Sequence, residues 1–352
     1  MKYLGMDVHA TSTVWCLIDA SGKGVGRGRV PTTPAGLTAL VQAVGDPSEL
    51  LAGQEVGTMT YLVHDTLTTA GVQCLAFNAQ HLRMIAASRK KTDRRDAYWI
   101  AKALQAEMYP SPVYVPTGEI RELRVLLHRR RQLHVDTTRW RHRARAALRA
   151  AGCPAPAGPA ALRRALEQAA TLESRTVPFL RDTASLCARQ LAAAERELRQ
   201  VDAELRTRAT GSAAVRRLRT VPTIGPLVAL TIYATVGDVR RFATAKMLAA
   251  YAGLVPSVRQ SAETTTLGGI TKQGPPDLRR VLVQAANVLL TRCARPEAQP
   301  LQAIGERIRA RRGRRKVAIV AVARHLLRIA YYILRDGTTY EPARLGAMMP
   351  AA

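Results

Sequence analysis

The sequence predicts an α/β domain at the N-terminus, a helical coiled-coil region in the middle and a mainly α-helical domain at the C-terminus. Strand-like and helix-like patterns alternate through the first hundred residues. Apolar residues then recur every seven positions through two long segments, and helical periodicity resumes near residue 215. We expect domains at 1–112, 113–210 and 211–352, which suits a chain of 352 residues.

The N-terminal domain is predicted from short apolar runs that alternate with amphipathic stretches. A Gly-rich turn at 21–28 separates the second run from the third. We expect strands at 3–8, 12–19, 27–31, 50–55 and 72–77, and helices at 34–44, 59–70 and 94–106.

The middle region is predicted to be two long helices joined by a Pro/Ala/Gly linker at 152–159. The first is basic and spans 119–151, and the second ends at about residue 208. The heptad positions are Leu126, Leu133, Trp140 and Ala147 in the first helix, and Leu191, Leu198 and Leu205 in the second. Such seams are typical of coiled coils, and they could pair with each other or between subunits.

The C-terminal domain begins with two helices around 223–226. Together they resemble a helix–hairpin–helix element, which presents backbone N–H groups to a phosphate. With a single glycine in the turn, Gly225, an ordinary helical hairpin fits equally well. A short helix at 247–252 and a flexible Gly/Thr/Ser-rich loop at 255–276 should follow. Strong helices are expected at 278–293 and 314–334, the latter buried because it is apolar on most faces.

The charge balance indicates a polyanionic partner. Lys and Arg number 53 against 26 Asp and Glu, giving a net charge of +27, and arginines recur along the whole chain. Nucleic acid is the usual polyanion for such a surface. The five cysteines lack metal-binding or disulfide spacing. No signal peptide or membrane span is expected, so we predict a soluble, cytoplasmic protein.

Four carboxylates stand where metal-dependent phosphodiester chemistry would need them. Asp7 lies inside an apolar strand in GMDVH, Glu55 ends a strand in LAGQEVG, and Asp93 and Asp96 open a helix in KTDRRDAYWIA. Oxygen-rich carboxylate sites suit Mg²⁺, and two ions about 4 Å apart can stabilise both oxygens of a displacement. Acids on a first strand, a fourth strand and a late helix are the arrangement of RNase H-like nucleases.

Each acid also has an ordinary structural interpretation. Asp93 could cap the helix, and Asp96 could simply favour the helix dipole. Glu55 could be a solvated strand end, and Asp7 could pair with an arginine. The four positions taken together favour the metal site.

Basic residues near these acids and farther along the chain are candidates for phosphate contacts. The predicted nucleic-acid-binding residues are Arg89, Lys90, Lys91, Arg94, Arg95, Arg129, Arg130, Arg131, Gly225, Lys272, Arg279 and Arg280. In the loop at 255–276, Ser261 and Ser257 are both visible candidates for a nucleophile. No neighbouring histidine offers a base for either.

The motifs together resemble a known family. GMDVH, the Glu55 strand, KTDRRDAYWIAKAL, YAGLVPSVRQSAETTTLGGITKQGPPDLRR and KVAIVAVARHLLRIAYYILRDG fall in the order seen in DEDD-type insertion-sequence transposases. These enzymes are insertion sequence family one-ten, also described as bridge-RNA-guided recombinases. The resemblance spans nearly the whole chain.

This resemblance implies a RuvC-like domain of the RNase H superfamily with Asp7, Glu55, Asp93 and Asp96 as its acidic tetrad. It implies that Ser261 forms a covalent link to a DNA phosphate during Mg²⁺-dependent strand exchange. The implied partners are DNA at the donor ends and target, a structured non-coding guide RNA, and further copies of the chain in a dimer or tetramer. Ala262 and Pro275 depart from the family, which usually has glycine and often asparagine there.

Two other functions fit the residues. A structure-selective nuclease would use the acidic tetrad alone and would leave the C-terminal third unexplained. A decayed, non-catalytic nucleic-acid-binding protein would keep only the charge, and the four intact carboxylates argue against it.

Overall fold

The computed structural model describes residues 1–85, 93–171, 180–261 and 264–344, in two compact units, Met1–Pro116 and Thr117–Ala352. The N-terminal unit combines five strands with four helices, a mixed α/β arrangement as predicted. Its elements are β1 (Lys2–Val8), β2 (Ser12–Ile18), β3 (Gly24–Pro31), α1 (Pro34–Val44), β4 (Leu50–Glu55), α2 (Thr60–Thr69), β5 (Gln73–Phe77), α3 (Ala79–Ile85) and α4 (Asp93–Gln105).

The five strands form one sheet in the order β3-β2-β1-β4-β5. Strand β2 runs antiparallel to both of its neighbours, β1 and β3, and β1, β4 and β5 run parallel to one another. The predicted Gly-rich turn was too long, because β3 already begins at Gly24. This mixed sheet fits the RNase H-like fold that the acidic pattern predicts.

Helices cover both faces of the sheet. Leu4 and Met6 of β1 are fully buried and pack with Leu37 of α1 and Val63 of α2. Side chains alternate along a strand, so Gly5 lies on the opposite face, which is covered by α4. On that face Ala97 and Ala101 of α4 are also fully buried.

Gly5 allows α4 to lie directly on β1. A Cβ at this position would be 1.9 Å from the carbonyl oxygen of Ala97 and 2.5 Å from the backbone nitrogen of Ala101. Gly5 pairs with Gly53 in the neighbouring strand, where a Cβ would be 2.9 Å from Ile100. Two adjacent glycines therefore set the close approach of the helix that begins at Asp93.

We expect Gly5→Ala to destabilise the N-terminal unit by about 1–3 kcal/mol, because overpacking must push α4 off the sheet. The measurement is the midpoint of urea unfolding followed by tryptophan fluorescence. Gly24→Ala is the matched control, since a Cβ there meets nothing within 4 Å. Equal midpoints for the two variants would contradict this account of the helix–sheet contact.

The second unit is mainly helical, as predicted. Its helices are α5 (Gly118–Ala150), α6 (Pro159–Thr171), α7 (Leu180–Gly211), α8 (Ala213–Leu218), α9 (Pro226–Val236), α10 (Ala245–Tyr251), α11 (Pro276–Arg292), α12 (Gln299–Arg312) and α13 (Arg315–Asp336). A two-stranded hairpin, β6 (Pro256–Ser261) and β7 (Thr264–Ile270), lies between α10 and α11.

The two long helices α5 and α7 pack against each other within the chain. Arg208 contacts Glu122 at one end of the pair, and Arg141 contacts Glu195 farther along, so the helices run antiparallel. Glu195 is 8% exposed and also accepts from Arg163 of α6. The two long helices therefore pair with each other within one chain. A coiled coil between subunits stays a prediction.

Helix α13 forms the centre of the C-terminal core, as its apolar sequence predicts. Leu326, Leu327 and Ile333 have no exposed surface and pack with residues of α9 and α11. By length and composition alone, α13 is apolar enough to cross a membrane, which the sequence analysis did not anticipate. Half of that stretch is buried inside the unit, as is usual for a core helix.

Candidate functional site

Asp7 lies near the carboxyl end of β1, on the sheet face that α4 covers. Gly5, two residues earlier, contacts α4, and the alternation of side chains puts Asp7 on the same face. Its side chain is 20% exposed, so the carboxylate is largely removed from water. A carboxylate in that setting needs a partner or a cation.

Glu55 ends the neighbouring parallel strand. Met6 pairs with Gln54, so Asp7 and Glu55 are the next residues of β1 and β4, at the same edge of the sheet. Gln54 is fully buried on the other face, where its amide donates to the carbonyl oxygen of Thr60 at 3.3 Å. Adjacent strands lie about 4.8 Å apart, which brings the two acids into one neighbourhood.

Asp93 comes from the first turn of α4 and meets Asp7 through a shared histidine. The Nε2 atom of His9 lies 3.3 Å from Oδ2 of Asp7 and 3.4 Å from Oδ2 of Asp93. One ligand atom from each of these three residues lies within 4.8 Å of the other two. Arg29 of β3 adds a cation 3.7 Å from Asp93.

His9 was not among the site residues predicted from the sequence. A tight turn after β1 positions it, since its backbone N–H donates to the carbonyl oxygen of Ser12 at 3.0 Å. The available signal was its spacing, because a residue two positions beyond Asp7 lies on the same side of an extended chain.

The other predicted residues around the acids are placed as follows. Asp96 is half-buried one turn along α4 from Asp93, and Arg95 is exposed on the same helix. Arg89, Lys90 and Lys91 lie outside the described residues, as does the side chain of Arg94.

The donor set fits a divalent cation. Two carboxylates so close together repel each other unless positive charge lies between them. Carboxylate oxygens suit Mg²⁺, and an imidazole nitrogen beside them also suits ions such as Mn²⁺. The bound ion would be held by Asp7, His9 and Asp93, with Glu55 on the adjacent strand.

The segment predicted to be a flexible loop at 255–276 is instead largely a β-hairpin, so that prediction was wrong. Ser261 is the last residue of β6 and pairs with Thr264, immediately before the tip of the hairpin. Ala262, one of the departures from the family, lies outside the described residues. Ser261 therefore takes part in strand pairing rather than lying in an unpaired loop.

The hairpin distinguishes the two candidate serines. The Oγ of Ser257 lies beside Gly268 of β7, since a Cβ added to this glycine would be 2.5 Å from it. Its hydroxyl therefore lies against the opposite strand, and the residue is half-buried. Ser261 is at the other end of β6, where it pairs with Thr264.

Several predicted phosphate-binding residues have partners within the second unit. Arg130 contacts Asp202 at 2.6 Å and Arg131 contacts Asp277 at 3.2 Å, while Arg129 pairs with Glu197. These contacts neutralise part of their charge and favour a packing role in the described structure.

The side chain of Arg279 forms hydrogen bonds to the backbone of the loop before α11. Its Nη1 donates to the carbonyl oxygens of Ala252, Gln273 and Gly274 at 2.9–3.1 Å. Arg280 lies 3.4 Å from Asp277, and Lys272 is exposed. Gly225 caps the start of α9, after the helix α8, so a helical hairpin is present and its phosphate-binding role stays a prediction.

Two family models match the chain. Residues 4–152 match a transposase model of the DEDD type from the IS110 group, and residues 215–302 match the "Transposase IS116/IS110/IS902 family". The first segment contains Asp7, Glu55, Asp93 and Asp96, and the second contains Ser261. The predicted acidic residues and the predicted serine nucleophile thus all fall within matched segments.

Curated relatives agree with these matches. A probable family 20 transposase of Pseudomonas aeruginosa is 29% identical over 263 residues, covering 72% of this chain and 75% of the relative. The transposase for insertion sequence element IS1111A of Coxiella burnetii is 28% identical over 293 residues, covering 82% and 78%. An IS116 protein of Streptomyces clavuligerus is 23% identical over 389 residues, covering 97% and 96%.

Proposed function

Because this chain belongs to the IS110 family of insertion-sequence transposases, we propose that it cuts and rejoins DNA with a divalent-metal site and a serine nucleophile. Asp7, Glu55, Asp93 and Asp96 form the acidic site, and Ser261 is the nucleophile. Mg²⁺ is the proposed ion, with two ions in the working site.

The observation that carries this proposal is the meeting of Asp7 and Asp93. They are 86 positions apart in sequence, yet each places a carboxylate oxygen within 3.4 Å of the same histidine nitrogen. Two carboxylates held so close together favour a cation between them, which supports the proposed metal site. When bound there, divalent ions would neutralise the charge that develops on a scissile phosphate.

The chain's own groups supply the rest of the chemistry. The Oγ of Ser261 attacks phosphorus and forms a phosphodiester with one DNA end, while the deoxyribose oxygen leaves with the bonding electron pair and takes up a proton. The serine proton passes to solvent or to a nearby basic group. Because the phosphodiester bond is conserved, the reverse attack by a DNA hydroxyl can reseal the strand without an external energy source.

A structured non-coding RNA is the proposed guide for the donor and target sequences. A net charge of +27 supports binding of more than one nucleic acid. We also propose a dimer or tetramer, since strand exchange needs at least two DNA ends to be held together.

The test incubates the protein with Mg²⁺, duplex DNA containing the element ends and RNA transcribed from the element's non-coding flank. We expect a covalent protein–DNA adduct and joined products in Mg²⁺, and neither in EDTA. Omission of the RNA should abolish target choice. Full activity in EDTA would contradict the proposed chemistry.

His9 is expected to contribute to metal affinity. His9→Ala should weaken Mn²⁺ binding about 10-fold, in the range seen when groups that support a metal site are removed. Calorimetric titration of the metal-free protein measures this, and pulsed EPR of the Mn²⁺ complex should lose its nitrogen coupling.

His142→Ala is the control for this experiment, because His142 is exposed on α5 in the other unit. Unchanged Mn²⁺ affinity in His9→Ala, with the nitrogen coupling intact, would show that His9 only balances the acids.

A further inference from the structure

Helices α12 and α13 meet at a strongly basic turn. Seven cations fall within the ten residues 307–316: Arg307, Arg309, Arg311, Arg312, Arg314, Arg315 and Lys316. All seven are exposed. Gly313 adopts a left-handed conformation with φ 65° and ends α12, so the two helix ends lie side by side. We call these seven residues, together with Arg324 and Arg328 of α13, the basic turn surface.

The charge of this surface is not balanced by the protein. Among the described residues, none of the seven lies in an ion pair. Residues 307–316 contain no Asp or Glu, and one carboxylate, Glu306, immediately precedes them. Arg315 donates to the side-chain amide oxygen of Asn287 at 3.1 Å, a neutral partner. Such a concentration of like charge is costly unless an anion joins it.

Helix dipoles explain the cations at the end of α12 but not those at the start of α13. Cations in the last turn of α12 are favoured by the negative end of the helix. Arg315 and Lys316 begin α13, where the dipole is positive, and the first turn of α13 contains no acidic residue and no side-chain cap. Exposed N–H groups and added positive charge at one helix start suit an anion.

The positive field continues along α13. Arg324 is half-buried, and its Nε has no hydrogen-bond partner in the described structure. Burial, together with the charge of Arg328, lowers the pKa of Arg324. Burial and the charges of Arg328, Arg324 and Arg307 likewise lower the pKa of His325 to about 4. Positive groups therefore lie close together along this part of α13.

We propose that the basic turn surface binds the phosphate backbone of duplex DNA. Lys316 and Arg328 are twelve residues apart on α13, which is about 18 Å of helix, or roughly five base-pair steps. Residues 307–328 contain no Phe, Trp or Tyr, so this surface lacks the stacking groups that hold single strands. Arginine contacts to phosphate hold a duplex without reading its sequence.

This surface lies outside both matched segments, 4–152 and 215–302. The inference rests on the proposed function only in choosing DNA as the polyanion. Its role is to hold duplex on the unit that also carries the serine hairpin while cleavage and exchange proceed.

The test measures binding without catalysis. The full-length protein in EDTA is titrated with a fluorescent 30-base-pair duplex (about three turns,) over a series of salt concentrations. A variant with Arg311, Arg312 and Arg314 each changed to Gln should bind about tenfold or more weakly, with the slope of log Kd against log salt reduced by about 2–3. The EDTA condition separates this result from failure of the metal chemistry.

A second triple variant serves as the matched control. Arg189, Arg196 and Arg199 are exposed on α7, and their change to Gln removes the same charge. It should leave the slope close to that of the wild type, and changing Arg311, Arg312 and Arg314 to Lys should restore it. If the Gln triple variant folds poorly, Arg314→Gln alone should still lower the slope by about 0.9.

Three outcomes would overturn the proposal. One is an unchanged slope in the basic turn variant, and another is an equal loss in the α7 variant. The third is a loss confined to a duplex RNA of the same length, which would assign the surface to RNA instead.

Discussion

Asp7→Asn is expected to slow DNA strand cleavage by about 10³-fold or more, because a metal site contributes several kcal/mol of transition-state stabilisation. Asparagine keeps the size of the side chain and removes its charge. Asp7 supplies one of the two carboxylates that face His9, so the variant also loses the repulsion that makes the site attractive to a cation. The readout is single-turnover cleavage of end-containing duplex in Mg²⁺.

Glu49→Gln is the matched control, since Glu49 is an exposed carboxylate in the same unit, outside the site. It should cleave at the wild-type rate. Asp93→Asn should behave like Asp7→Asn. If either site variant cleaves normally while its fold is intact, the acids are structural and the metal chemistry lies elsewhere.

Ser261→Ala is expected to abolish the covalent protein–DNA adduct and to lower strand exchange by at least about 10³-fold, the scale seen when a nucleophile is removed. The side chain is small and Ser261 ends a strand, so alanine should keep the hairpin. The adduct is detected as a slow-migrating band on a denaturing gel with labelled DNA.

The chain offers its own control for this experiment. Ser257 lies in the same strand, and its hydroxyl lies beside Gly268 of the opposite strand. Ser257→Ala should therefore keep the adduct. Normal cleavage by Ser261→Ala would favour a structure-selective nuclease that uses the acids alone.

Much of the N-terminal fold could be predicted from the sequence, because each element there follows its own local pattern. The apolar run that contains Asp7 became β1, and the buried segment at 72–77 became β5 with bounds shifted by one residue. Helix α4 begins at Asp93, within one residue of the prediction. Such segments can be predicted from the sequence because their local periodicity is strong and matches their burial.

The segment at 255–276 was misread for a physical reason. Glycines, threonines and serines there indicated a loop, but threonine is β-branched and favours strands. Thr264, Thr265 and Thr266 pair with Ser261, Gln260 and Arg259 across the turn. Pairing between two segments is a nonlocal property that composition does not reveal. Helix α12 was missed as well, since its arginines mask the apolar positions Leu301 and Ile304.

The contribution of His9 could not be read from the sequence in the same way. A lone histidine after a strand is common, and its role depends on Asp93, which arrives from a helix far along the chain. The packing that brings them together depends on Gly5 and Gly53, where the lack of a side chain gives no hydrophobic signal.

Iron-directed cleavage of the protein backbone tests the central claim most directly. Fe²⁺ can replace Mg²⁺ at sites of carboxylate and imidazole ligands, and with ascorbate and peroxide it cuts the nearest peptide segments. We predict cuts, mapped by mass spectrometry, in three separate segments around residues 7–9, 55 and 93–96, all lost in Asp7→Asn with Asp93→Asn. Cuts that avoid these segments, or that persist in the double variant, would contradict a shared metal site.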